Sequence, residues 1–164
     1  MLVVADSSPL SLLVEIGYAD VLPALFQRVV IPPQVAGELS RPRTPQEVRD
    51  FVARPPAWLE IREPKQIEPL VQLGPGERAA ISLACELNAD AVLIDEKAGR
   101  RVAAERRLPV IGSVGVLERA ADRGLLDLRE AFQRVRATTF HVSERLLEQA
   151  LERDVACRPP RRDT

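Results

Sequence analysis

Hydrophobic positions along this chain fall into two kinds of run. Residues 2–5, 29–31 and 91–94 are short, continuous apolar stretches rich in valine, without polar alternation. Such runs read as strands buried on both faces. The stretches between them have helical spacing. Ser7-Ser8-Pro9 starts a helix that Gly17 ends, with Ser8 as its default cap and Pro9 in the first turn. A second short helix is expected over 20–26 and a third over 33–39. Thr44-Pro45-Gln46-Glu47 has the spacing of a capping box and opens a helix to about Ala53.

Residues 58–62 form a candidate strand, and 64–73 read as a connector. Gly74-Pro75-Gly76-Glu77 then begins a long helix with Ala80, Ile81, Ala84 and Leu87 on one stripe. A basic helix over 96–107, a short strand at Val110-Ile111, and helices over 113–123, 127–136 and 143–153 complete the pattern. Doubly buried strands alternating with helices predict an α/β fold with a parallel sheet covered on both sides. One domain is expected over 1–153, followed by a disordered tail over 154–164.

Composition agrees with an ordered single domain: 164 residues, 46% hydrophobic and 29% charged. The net charge of −1 gives no global attraction to a polyanion, so a nucleic-acid site has to come from a local basic cluster. Cys85 and Cys157 lie too far apart to define a disulfide framework or a zinc site, and Cys85 reads as core packing. No apolar run reaches the roughly 18 residues of a membrane span. Met1 leads into Leu2-Val3-Val4-Ala5 with no basic segment before it, so a cytoplasmic protein is expected.

In open parallel sheets, ligands bind outside the carboxyl ends of the strands. That rule selects Asp6 after the first strand and Asp95 after the third. Each also has a plain structural reading, as a turn or cap residue before the helix that follows. Glu38 stands near a helix end, where a carboxylate is poorly placed against the dipole, and Glu77 stands in a first turn, where one is favoured anyway. Gathered carboxylates repel one another, and a divalent cation such as Mg2+ or Mn2+ relieves that repulsion with oxygen ligands. Lys97, Arg100, Arg101, Arg106 and Arg107 follow Asp95 within a few helical turns. Arg100 is placed to reach a phosphate near such a metal, while Arg106 and Arg107 read as a solvated face. Ser7 is a candidate hydrogen-bond donor at the site, and His141 reads as structural or solvated.

Together these segments resemble the PIN-domain family of metal-dependent ribonucleases. VVADSSPLSLLVEIGYADVLP is similar to the family's opening block and VVIPPQVAGEL to its second. LGPGERAAISLACELNADAVLIDEKAGRRVAAERRLPVIGSVGVL is similar to its third and fourth blocks. The nearest likeness is to a largely uncharacterised prokaryotic branch with Asp-Ser/Thr-Ser-Pro-Leu and Gly-x-Gly-Glu, and it runs over most of 1–153. The resemblance implies a three-layer α/β/α sandwich with a central parallel sheet of four to five strands. It implies Mg2+- or Mn2+-dependent cleavage of single-stranded RNA, with Asp6, Glu38, Glu77 and Asp95 as catalytic, metal-binding carboxylates. Ser7, Lys97, Arg100 and Arg101 are the expected RNA contacts. A small antitoxin and a second copy of the chain are the expected protein partners, since many members are toxins of toxin–antitoxin pairs and many dimerise. Two positions depart from the pattern: Glu77 stands where many members carry aspartate, and Glu96-Lys97-Ala98-Gly99-Arg100 follows Asp95 where many toxins have Asp-x-Asp-Phe, with Glu96 as a candidate partial replacement for the second acid.

The competing reading is a PIN-like module that binds nucleic acid or a partner without catalysis. A phosphatase on such a sheet wants Asp-x-Asp after the first strand, but the residue two after Asp6 is Ser8. A receiver domain wants an acidic pair near that strand together with a distant lysine. A dinucleotide site wants Gly-x-Gly-x-x-Gly there, and none follows.

Overall fold

Val3 and Val4 are fully buried, and they occupy the middle strand of a five-stranded, all-parallel sheet. The structure is a computed structural model and describes residues 1–158. In chain order the elements are β1 (Leu2–Ala5), α1 (Ser7–Glu15), α2 (Val21–Leu25), β2 (Arg28–Ile31), α3 (Pro33–Leu39), α4 (Gln46–Ala53) and β3 (Leu59–Ile61). There follow α5 (Pro75–Glu86), β4 (Ala91–Leu93), α6 (Lys97–Glu105), β5 (Val110–Ile111), α7 (Ser113–Asp122), α8 (Leu128–Arg136) and α9 (Glu144–Cys157).

The strand order is β3-β2-β1-β4-β5. From β1 the chain moves outward through α1 and α2 to β2, then through α3 and α4 to β3. From β4 it moves the opposite way through α6 to β5. The direction therefore reverses between β1 and β4, which pair in register as Val3–Ala91, Val4–Val92 and Ala5–Leu93. With right-handed crossovers the two sets of helices cover opposite faces, which gives the expected α/β/α layering. α1, α3 and α4 pack on one another, and α5 packs on β1, β4 and α6 and also on α3, which meets its first turn through Glu38 and Gly76. The reversal marks the carboxyl ends of β1 and β4, the place where ligands of such sheets bind.

The chain divides into two compact units, Met1–Ser113 and Val114 onward. The first holds the sheet and α1–α6. Leu10, Leu12, Leu13, Ile16, Val21 and Leu22 are all buried, so the apolar face near 10–26 is used within the chain itself. In the second, α8 buries Leu128, Ala131, Phe132 and Val135, and α9 buries Leu147 and Ala150. The ion pairs Arg136–Glu144 and Arg153–Glu118 lie on its surface. The last helix runs to Cys157, four residues beyond the expected 153; residues 159–164 of the expected tail lie outside the described residues. Among the described residues, no helix is long and apolar enough to cross a membrane.

Three local expectations need correction. The cap of α1 is Asp6 by backbone geometry, and Ser8 is the second helical residue. The cap of α4 is Pro45, and the Thr44 hydroxyl donates instead to the Glu38 carbonyl at 3.3 Å, joining the two helix ends. Cys85 is half-buried rather than a core residue, because it lies near the end of α5 where the 64–73 connector passes. That connector is tied down by Glu68, whose N–H donates to Ser82 and whose carboxylate accepts from Arg106 at 2.5 Å.

Candidate functional site

Asp6 follows β1 directly, and its backbone N–H donates to the Leu93 carbonyl at 3.0 Å, so the ends of the two central strands fix its position. It begins α1, yet its side chain makes no capping hydrogen bond. The residue is 4% exposed, and among the described residues Oδ1 is buried without a partner. An unsatisfied buried carboxylate oxygen is costly. Burial pushes the Asp6 carboxyl up to about 7; the Ser7 backbone N–H acts against this, and the charges of Glu77, Glu38 and Glu96 add to it. A group under that strain has the electrostatic signature of a functional site.

Glu38 reaches out of α3 to the start of α5. Its Oε1 accepts the Gly76 N–H at 2.9 Å, and its Oε2 accepts the Ser7 hydroxyl. Its poor position on its own helix is thus resolved by the neighbouring one, whose first turn favours an anion. Gly76 is required for this approach: a Cβ there would stand 2.4 Å from Oε2.

Glu77 is the third residue of α5. Burial raises its pKa, the Glu96 charge raises it further, the Gly74 N–H lowers it as in the return half of a capping box, and Glu38 adds a smaller increase. Its Oε2 is buried without a partner, against the first turn of α6. A Cβ on Gly99 would stand 2.6 Å from that oxygen and 3.0 Å from Ile94 Cγ2.

Asp95 faces elsewhere. Its Oδ1 accepts the Ser113 N–H at 2.8 Å and its Oδ2 the Ser113 hydroxyl at 2.5 Å. It therefore caps the start of α7 and not the helix that follows it, whose cap is Glu96. The charges that act on Asp6 come from Glu77, Glu38 and Glu96. The resemblance offered Glu96 as a partial replacement for the second acid of Asp-x-Asp-Phe.

The basic residues divide as well. The Arg100 guanidinium lies over Gly112, where a Cβ would meet its Nη1 at 2.7 Å and Asp95 Oδ1 at 3.2 Å, and it donates to the Ile94 carbonyl at 3.4 Å. Lys97 is exposed, and Arg101 is exposed and near Glu105 at 3.8 Å. Arg106, expected to be solvated, instead holds Glu68.

The donor set suits a hard divalent cation, since every side chain offered is a carboxylate, and Asp6 Oδ1 and Glu77 Oε2 lack any other partner. Among the described residues, no three His, Cys, Asp or Glu side chains stand close enough to share one ion. The fit is to an ion held by one or two carboxylates with water completing its shell, the usual habit of Mg2+. It is not to a closed protein cage. The family model for the PIN domain matches residues 2–154. No curated protein and no solved structure matches the chain.

Proposed function

We propose, from the premise that this chain belongs to the PIN-domain family and that PIN domains are generally nucleases using divalent metals such as Mg2+, that it is a Mg2+- or Mn2+-dependent endoribonuclease acting on single-stranded RNA in the cytoplasm. The observation that carries the reading is that Asp6 Oδ1 and Glu77 Oε2 are each buried without a partner among the described residues, with the Glu77 charge acting on Asp6. A bound divalent cation would supply charge to a phosphodiester oxygen and to an attacking water.

The chain's own residues divide the remaining work. Asp6 and Glu77 would hold the ion. Glu38 is fixed by the Ser7 hydroxyl and the Gly76 N–H. Its oxygens are already engaged, so it suits contact through water. Ser7 acts on Glu38 first, and only through it on the ion or RNA. Arg100, with Lys97 and Arg101 further out on the exposed surface, supplies positive charge for the RNA backbone. A role as the toxin of a toxin–antitoxin pair, with a small antitoxin and a second copy of the chain as partners, follows from what is common in the family.

The deciding experiment is incubation of the purified chain with assorted single-stranded RNAs in Mg2+, in Mn2+ and in chelator, beside Asp6→Asn. Cleavage in metal alone, lost in Asp6→Asn, supports the reading. Equal cleavage by parent and variant sinks it. One observation favours the second reading, a binding module without turnover: among the described residues, no three carboxylates converge. Absence of metal binding and of cleavage at every metal concentration, with RNA binding retained, would establish that alternative.

A further inference from the structure

Gly112 follows β5 directly and precedes Ser113, the first residue of α7. Its φ lies outside the left-handed region, so its backbone makes no demand for glycine. What requires glycine is room. A Cβ here would stand 2.7 Å from Arg100 Nη1, 3.2 Å from Asp95 Oδ1 and 3.9 Å from Arg100 Cζ. The Arg100 guanidinium thus occupies the space that a side chain at 112 would take. Asp95 beside it is fixed, with the Ser113 N–H on Oδ1 at 2.8 Å and the Ser113 hydroxyl on Oδ2 at 2.5 Å. That anchored carboxylate attracts the guanidinium to one place. Arg100 is exposed, and its one hydrogen bond among the described residues, to the Ile94 carbonyl, is long at 3.4 Å. Most of its N–H donors are left for a ligand oxygen.

We propose that Gly112 is a positioning residue: by lacking a side chain it leaves a seat beside Asp95 from which Arg100 presents its guanidinium to an RNA phosphate. The inference rests on the ribonuclease reading above. A long arginine side chain loses rotamer freedom when it holds a phosphate, and a seat already occupied before RNA arrives reduces that cost. The contact is to the sugar–phosphate backbone, so it carries no base sequence. It belongs to RNA binding and not to the ion.

The test compares the full chain with Gly112→Ala, Arg100→Ala and the double variant, by steady-state cleavage and binding of a fluorescein-labelled single-stranded RNA, Mn2+ calorimetry and thermal melting. Gly112→Ala should raise the KM for RNA several-fold, no further than Arg100→Ala does, with kcat and the Mn2+ Kd within about twofold of the parent. Its Tm should stay within about 2 °C, because the nearest colliding atom is the end of a flexible side chain. The double variant should match Arg100→Ala in KM, since its alanine displaces no guanidinium. A KM in Gly112→Ala equal to the parent's, a further rise in the double variant, or a weakened Mn2+ Kd overturns the assignment. If Gly112→Ala does not fold, the double variant decides: folding restored by removal of the guanidinium supports the seat, and a second unfolded chain overturns it. A parent that binds RNA without cutting it overturns the ribonuclease reading, and the RNA Kd then reads the seat in place of KM. A parent that neither binds nor cuts RNA overturns both.

Discussion

The carboxylate of Glu38 accepts the backbone N–H of Gly76 at 2.9 Å, so an acid carried by the end of α3 serves as the anion at the start of α5. The same relation recurs at the sheet's carboxyl edge. Glu77 lies against the first turn of α6, Asp95 accepts from Ser113 where α7 begins, and Asp6 stands at the start of α1. Helix starts carry partial positive charge, which offsets part of the repulsion among these acids. What distinguishes Asp6 and Glu77 is that each keeps one buried oxygen over after the protein's own donors are counted.

Gly76→Ala should separate position from presence at Glu38. The new Cβ would stand 2.4 to 2.7 Å from the carboxylate, whose flexible side chain would move away. Loss of that hydrogen bond costs about 1.5–3 kcal/mol, and alanine's better helix propensity returns up to about 1 kcal/mol, so stability falls by roughly 1 kcal/mol. Metal-dependent RNA cleavage should fall about tenfold, as it does when a supporting contact to a metal site is lost. Steady-state kinetics beside a thermal melt measures both; unchanged cleavage would show that Glu38's position does not matter.

Asp6→Asn should stabilise the metal-free chain, and do so in a pH-dependent way. The Asp6 carboxyl is raised from 3.8 to about 7. The folded state therefore binds this proton more tightly than the unfolded state. Stability from this group is full below pH 4 and is lost as pH rises through 7. The difference amounts to roughly 4 kcal/mol by pH 8 as an upper bound. Asparagine removes the penalty, so the gain in Tm should be large at pH 8 and small at pH 4. Melts in chelator across that range check it; an equal effect at both pH values would refute the buried, protonated Asp6.

Mn2+ affinity should rise with pH for the same reason. The ion prefers the ionised carboxylate and must displace the proton that Asp6 holds near neutrality. Affinity should increase by about tenfold per pH unit at most below 7 and level off above it. Calorimetry in buffers of different ionisation enthalpy should detect up to one proton released per ion at pH 6.

Much of this arrangement was legible in the chain. The valine-rich runs marked β1, β2 and β4 because they are buried on both faces, and the strand-end rule found Asp6 without help from any family. Glu38 and Glu77 were chosen mainly through the resemblance, since the helix start of Glu77 gives a carboxylate an ordinary structural role. What stayed hidden depends on contacts between distant segments. Nothing local says that Asp95 spends both oxygens on Ser113, eighteen positions later. Nor does Thr44 reveal that its hydroxyl goes to Glu38 in place of the cap its spacing suggests. The glycines were a signal left unused. Gly76 and Gly99 sit inside first helical turns, where glycine usually has a packing reason, and each faces a site carboxylate.

Gly99→Ala tests that signal. Its Cβ would meet Glu77 Oε2 at 2.6 Å and the buried Ile94 Cγ2 at 3.0 Å. The glutamate end can swing aside, but Ile94 is fully buried and has little room to yield. Overpacking of this kind costs about 1–3 kcal/mol. Mn2+ affinity should fall along with stability, in contrast to Gly76→Ala, where the wall is only the flexible end of Glu38. A variant as stable as the parent, with unchanged Mn2+ affinity, would place Glu77 away from the ion.

Arg100 and Arg106 lie two turns apart on one basic segment, yet their contacts predict opposite phenotypes. Arg106 donates to Glu68 through Nε at 2.9 Å and Nη2 at 2.5 Å, and so holds the 64–73 connector to the end of α6. Both partners are partly exposed, so Arg106→Ala should cost about 1 kcal/mol of stability and leave the KM for RNA unchanged. Among the described residues, Arg100 makes one long bond, to the Ile94 carbonyl at 3.4 Å, and it is exposed near the carboxyl end of β4. Arg100→Ala should leave the Tm within about 2 °C of the parent and raise the KM for RNA several-fold. Its effect should shrink as salt rises, because a phosphate contact is screened and its counterion release is lost. Kinetics at two salt concentrations, beside thermal melts, separates the two arginines. A KM effect in Arg106→Ala, or none in Arg100→Ala, would move the RNA path off the start of α6.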